Sequence, residues 1–163
     1  MLVLCSNGLS SEALRDALKA RVKGIASAAL VVTADEVYKA NNYHVPRCLE
    51  ELRSLGLDAD ILDIDVDPAQ RLSNCDLVEF IGGNPYYLTD AIHRHCAEGI
   101  LETLARDKVL VGWSAAAFAF GPTLELVDRY SPEMNTVGLT DLRGLGLTDV
   151  EVLPHYRRYA ARR

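Results

Sequence analysis

VLVGWSAAAFAFGP, residues 109–122, decides the fold. Val109 to Trp113 are nearly continuous hydrophobics, as in a strand covered on both faces. Small, helix-compatible residues follow, and the change of period falls at Ser114. A strand that runs straight into a helix is the βα step of a parallel sheet. Further apolar runs lie at Leu2 to Cys5, Ala28 to Thr33, Ala59 to Ile64, Leu77 to Ile81 and Val150 to Leu153. Between them, Ser11 to Lys23 places Leu14, Ala17, Leu18 and Val22 on one helical face, with Ser10 or Ser11 as its cap. Val45 to Leu55 reads as a second helix, ended by a left-handed C-cap at Gly56. Tyr86 to Leu104 reads as a helix or helix pair, and Ala115 to Phe120 as a short helix. Gly121 to Thr148, rich in Pro, Gly and Asp, is the least regular stretch and suits a hairpin or an active-site loop. The alternation predicts one α/β domain, a doubly wound, mainly parallel sheet with helices on both faces. Functional groups should then lie beyond the carboxyl ends of the strands.

The 163 residues suffice for one core, and 49% apolar with 25% charged residues is the balance of a folded globular chain. No apolar run is long enough to span a membrane, and MLVLCSNGLSSEAL lacks the basic start of a secretory signal, so the expectation is a cytoplasmic protein. A net charge of −6 argues against a nucleic-acid partner. The basic tail RRYAARR is the exception, and its bland reading is a solvated terminus. Cys5, Cys48, Cys75 and Cys96 form no C-x-x-C pair, which suggests reduced, structural thiols and neither a zinc cluster nor a disulfide framework.

Three places meet the geometric expectation. Ser114 stands at a strand-to-helix turn, where a nucleophile elbow would lift its Oγ above the sheet and aim the Ala115 N–H at an oxyanion. The same position also suits a plain helix N-cap. In LVEFIGGNPYYL, residues 77–88, Gly82, Gly83 and Asn84 turn a strand into a helix opened by Pro85. The N–H of Gly83 or Asn84 is a candidate second oxyanion donor; a tight turn is the alternative. In GLGLTDVEVLPHYRRY, residues 144–159, His155 follows the Val150 to Leu153 run and is placed to act as general base. His44, His93 and His95 read as surface residues. Glu125, Asp128, Glu133 and Asp141 lie between serine and histidine as candidates for the acid. Asp128 is preferred, because the alternation of Leu124, Leu126 and Val127 would carry it to the end of a short strand, with Glu125 pointing outward.

Taken in order, CSNGLSSEAL, IGGNPYYL, GWSAAAFAFGP and GLGLTDVEVLPHY resemble the peptidase E (aspartyl dipeptidase) family of serine peptidases. The resemblance implies a flavodoxin-like sheet related to the glutamine amidotransferase domain. It also implies nucleophile Ser114, base His155, oxyanion donors from Gly83 and Ala115, an acid at Asp128 or Glu125, and no cofactor or metal. Amidotransferases of this fold carry cysteine at the elbow, where this chain has serine; Cys5, at the end of the first strand, is the cysteine to check. Two departures stand out. Ala116 replaces the glycine the family commonly has two places after the serine. The chain also stops at Arg163, where members usually continue, so the expectation is a domain without the usual C-terminal extension. Specificity for Asp-X dipeptides is left open by that difference. Asn84 and Arg157 are candidate contacts for a small peptide substrate. The expected activity is a serine exopeptidase of dipeptidase type, with a homodimer as the default assembly. The alternative, favoured by Ala116, is a catalytically silent binding or regulatory module.

Overall fold

A computed structural model describes residues 1–160, with side chains described as far as Arg158. Five short strands, β1 (Leu2–Cys5), β2 (Ala28–Val31), β3 (Ala59–Leu62), β4 (Leu77–Phe80) and β5 (Val109–Trp113), form one sheet in the order β1-β5-β4-β2-β3. Every pairing is parallel. The connecting helices are α1 (Glu12–Val22), α2 (Val45–Ser54), α3 (Gln70–Ser73), α4 (Pro85–Arg94) and α5 (Glu98–Asp107); the short α6 (Ala115–Ala119), α7 (Glu125–Tyr130) and α8 (Tyr156–Ala160) follow β5. No described helix is long and apolar enough to cross a membrane.

Strand side chains alternate between two cores, as the pleat requires. Ala28, Leu30, Leu77, Val109, Val111 and Trp113 pack with Leu18 and Val22 of α1 and Val45, Cys48 and Leu52 of α2. Ala29, Val31, Val78, Phe80 and Leu110 pack with Leu72 of α3, Leu88 and Ile92 of α4, Leu101 and Leu104 of α5, and Ala115, Ala116 and Ala119 of α6. Helices therefore cover both faces, and the fold is the doubly wound α/β sheet that the alternation predicts.

Two local expectations fail. Residues 150–153 form no strand; the segment is irregular, and Leu153 instead joins a satellite cluster of Tyr86, Phe118, Leu124 and Val127. An apolar run of four residues cannot distinguish a sheet strand from an extended segment pinned by one anchor. Asp128 likewise ends no strand, because the segment around it is helix α7. Leu124 and Val127, three residues apart, are both buried in that cluster, a helical spacing that competes with the alternation.

Candidate active site

β5 is flanked by β1 and β4, so three loops meet above its carboxyl end. The chain passes from Trp113 into α6 through Ser114, whose φ of 53° and ψ of −106° are those of a strained, non-helical turn. Its N–H donates to the Cys5 carbonyl of β1 at 3.0 Å, which anchors the turn to the neighbouring strand. Ser114 makes no side-chain cap bond, so its hydroxyl is not spent as an ordinary N-cap. The sharp turn requires small neighbours. A Cβ on Gly82 would stand 2.6 Å from the Trp113 ring and 2.9 Å from Ser114 Cβ.

Ala116 is accommodated by the same means. A Cβ on Gly112 would meet the Phe120 ring at 2.7 Å and the Ala116 methyl at 3.2 Å. The missing side chain at Gly112 leaves room for the Ala116 methyl, which is fully buried.

His155 reaches Ser114 from a segment forty-one residues away: its Nε2 lies 2.9 Å from Ser114 Oγ. Like the serine, it has a left-handed backbone, with φ 57°. Its N–H donates to Ser6 Oγ, in the turn after β1, at 3.3 Å. The sequence reading missed this serine. Its only signal was the CSNG turn following a strand, and only the strand order shows that β1 abuts β5.

Burial, and then the positive charge of Arg158, hold the His155 imidazole below its ordinary pKa. Both disfavour the imidazolium, so the ring is the neutral base at pH 7. The acidic limb of kcat/KM should consequently fall below the ordinary histidine value of about 6.5. Arg158→Gln removes one of the two causes and should move that limb to higher pH; a pH–rate profile of both proteins reads the shift.

The three N–H groups considered as oxyanion donors differ in whether they are already bonded. The N–H groups of Ala115 and Gly83 have no acceptor among the described residues, and both residues line a cavity of about 100 Å³ together with Ser114, Phe118, His155 and Arg158. The Asn84 N–H, by contrast, donates to the Ala34 carbonyl at 2.8 Å and is not available. Nor is the Asn84 side chain free for substrate. Its Oδ1 accepts from the N–H groups of Tyr86 and Tyr87, capping α4, and its Nδ2 donates to Glu36, the Met134 carbonyl and Thr136. Asn84 is a strut between the glycine turn and two loops. Arg157 is exposed and lines an open hollow of about 600 Å³ with Ser6 and Tyr156, and this hollow shares His155 and Arg158 with the smaller cavity. The tail's last two arginines lie outside the described residues.

Asp128 does not join the pair. Its carboxylate accepts a hydrogen bond from Tyr86 Oη at 2.9 Å, and no carboxylate among the described residues bonds to the His155 ring. Glu125 is exposed on the first turn of α7 and serves the ring no better. If Asp128 only holds Tyr86, Asp128→Asn keeps an acceptor and should leave kcat within about tenfold, whereas loss of a triad acid costs about 10⁴. Turnover of that variant separates the two roles.

Among the other histidines, His93 is exposed, whereas His44 and His95 are half-buried, and the His44 ring meets Trp113 edge-on at 5.2 Å. All four cysteines are free. The Cys5 thiol, pushed up to about 11 by burial and then by Glu79, donates to the Gly8 carbonyl and stays protonated, which removes it as an elbow-type nucleophile.

The sequence profile of peptidase family S51 matches residues 2–163. An uncharacterised peptidase of Listeria monocytogenes is 31% identical over 129 residues, covering 76% of this chain and 61% of the relative. A peptidase E of Shewanella amazonensis is 26% identical over 119 residues, covering 72% of this chain and 49% of its own length. The chain thus spans about half to three-fifths of these relatives. A crystal structure of a candidate peptidase E protein from Listeria monocytogenes superposes with a TM-score of 0.82 at 28% identity, covering 96% of this chain and 79% of that one. A peptidase from an acI-B1 actinobacterium shares the fold, with a TM-score of 0.67 at 22% identity over 99% of this chain and 70% of the other.

Proposed function

The chain belongs to peptidase family S51, and from that premise we propose that it is a serine exopeptidase cleaving small peptides through a Ser114–His155 dyad. The observation that carries the proposal is the 2.9 Å contact between Ser114 Oγ and His155 Nε2, made at a strained strand-to-helix turn. His155 takes the hydroxyl proton as Oγ attacks the scissile carbonyl carbon. The oxyanion forms beside the Ala115 and Gly83 N–H groups, which need no reorganisation to receive it. The C–N bond then breaks, His155 protonates the leaving amine, and a water activated by the same imidazole hydrolyses the acyl-serine. In place of a carboxylate, the ring is steered by its own strained backbone and by the Ser6 bond.

The cavity above the serine has room for little more than the reacting carbonyl and a small group. The rest of a substrate would extend into the open hollow, where Arg157 and Arg158 can meet a peptide carboxylate. That arrangement suits short peptides better than long chains. One ground for the silent-module alternative is Ala116, and its methyl has room against Gly112.

A dipeptide and tripeptide library, read by mass spectrometry, tests the proposal. Turnover of some members by the wild type and of none by Ser114→Ala is expected. Equal turnover by the two proteins, or none by either, would overturn it.

A further inference from the structure

On the face of the sheet that α1 and α2 cover lies a buried group that the peptidase reading leaves unused. Glu79 sits in the middle of β4, flanked on the same face by Leu77 and Ile81, and is 0% exposed. Neither of its carboxylate oxygens forms a hydrogen bond of normal geometry among the described residues; the Trp113 Nε1–H, likewise unpartnered, is the one neutral donor close enough to favour its charged form. Glu51 of α2, 8% exposed, gives Oε1 to the Arg47 guanidinium, but its Oε2 is also unpartnered. Cys48, one turn before Glu51 and thus on the same helix face, is fully buried beside them. One donor atom from each of these three residues lies within 4.8 Å of the others. A Cβ on Gly8 would stand 3.2 Å from both Glu51 Oε2 and Glu79 Oε1, so these two of the three unpartnered oxygens face one spot beneath that glycine.

Buried carboxylates without donors are costly unless something neutralises them. We propose that Cys48, Glu51 and Glu79 form a structural site for a divalent cation of the zinc class, clamping helix α2 to strand β4 beneath the nucleophile elbow. One thiolate and two carboxylates are a borderline donor set, suited to Zn²⁺ or Cd²⁺ and ill suited to the all-oxygen preference of Mg²⁺ and Ca²⁺. Donors at the observed spacing surround a centre at most about 2.8 Å from each, against zinc bonds of about 2.0–2.3 Å, so each has roughly half an ångström to close. The charges balance as well. The two carboxylates and the thiolate carry three negative charges, and the cation with Arg47 carries three positive ones. Without a cation, burial and the Glu51 charge push Glu79 up to about 8, and burial followed by the Glu79 charge pushes Cys48 up to about 12. Both are then held as neutral acids, and the cation takes the place of two protons. The 31-residue gap between Cys48 and Glu79 hides this set from any spacing motif.

Titration of the purified full chain with Cd²⁺ at about pH 8 reads the site directly through the ultraviolet thiolate-to-cadmium charge-transfer band. The band should rise to one equivalent, yield to competing Zn²⁺ and resist excess Mg²⁺. Cys48→Ser should lose the band, and Glu79→Gln should weaken binding at least tenfold while keeping the native circular dichroism. Cys96→Ser, which removes the exposed thiol, and Ser114→Ala should both bind as the wild type does, so the result is independent of the peptidase reading. No band in the wild type, a band that survives Cys48→Ser or disappears in Cys96→Ser, or an affinity indifferent to Glu79→Gln would overturn the proposal.

Discussion

Ser114→Ala is expected to lower kcat/KM on the best library peptide by a factor on the order of a million, with the thermal midpoint little changed. The lost group is one hydroxyl, and alanine tolerates the left-handed turn no worse than serine does, so the fold has little reason to respond. His155→Ala should cost nearly as much, because a neutral serine hydroxyl is a poor nucleophile without a base at hydrogen-bond distance. The double variant should be no slower than either single one. Two residues that share one proton act as a unit, and once either is gone the other has nothing left to contribute. Additive losses in kcat would mean that the two side chains work independently, contrary to the dyad.

Gly83→Ala should be the most damaging change that leaves both dyad residues in place. A Cβ there would stand 2.1 Å from the Ala34 carbonyl oxygen and 2.4 Å from its carbon, both backbone atoms that cannot swing aside. The glycine turn must therefore move, breaking the bond from the Asn84 N–H to that same carbonyl and displacing the Gly83 N–H from the cavity. Loss of one oxyanion donor costs about 10²–10³ in kcat. A fall of at least that size is expected, together with a lowered thermal midpoint, since the Asn84 struts to Glu36, Met134 and Thr136 are disturbed as well. Normal turnover by this variant would remove Gly83 from the oxyanion site.

The frame is legible in the sequence because the central strands β2, β4 and β5 are covered on both faces. Nearly continuous apolar runs such as Leu77 to Ile81, broken only by Glu79, and Val109 to Trp113 have few alternatives in a chain of this length. The elbow was legible for a related reason: a strand that breaks into small residues at a serine leaves that serine on the sheet's carboxyl edge. The same edge argument points to His155, and although residues 150–153 form no strand, Leu153 is anchored in the satellite cluster and the imidazole stands beside Ser114. The acid was not legible. Asp128 was chosen on a period-two pattern, and the burial of Leu124 and Val127 together decided for a helix. Ser6 and the Asn84 struts depend on which strands neighbour β5 and β4, and linear spacing carries no record of that order. The buried Glu79 was visible as a lone charge inside an apolar strand, but its partners on α2 were not.

Peptidase chemistry at this site requires Ser114 to be a nucleophile that His155 activates. Labelling with a fluorophosphonate probe, followed by peptide mapping of the adduct, tests this most directly. One adduct per chain on Ser114, absent from Ser114→Ala and from His155→Ala, is the predicted result. A folded wild type that takes up no probe, or an adduct mapped to any other residue, would contradict it.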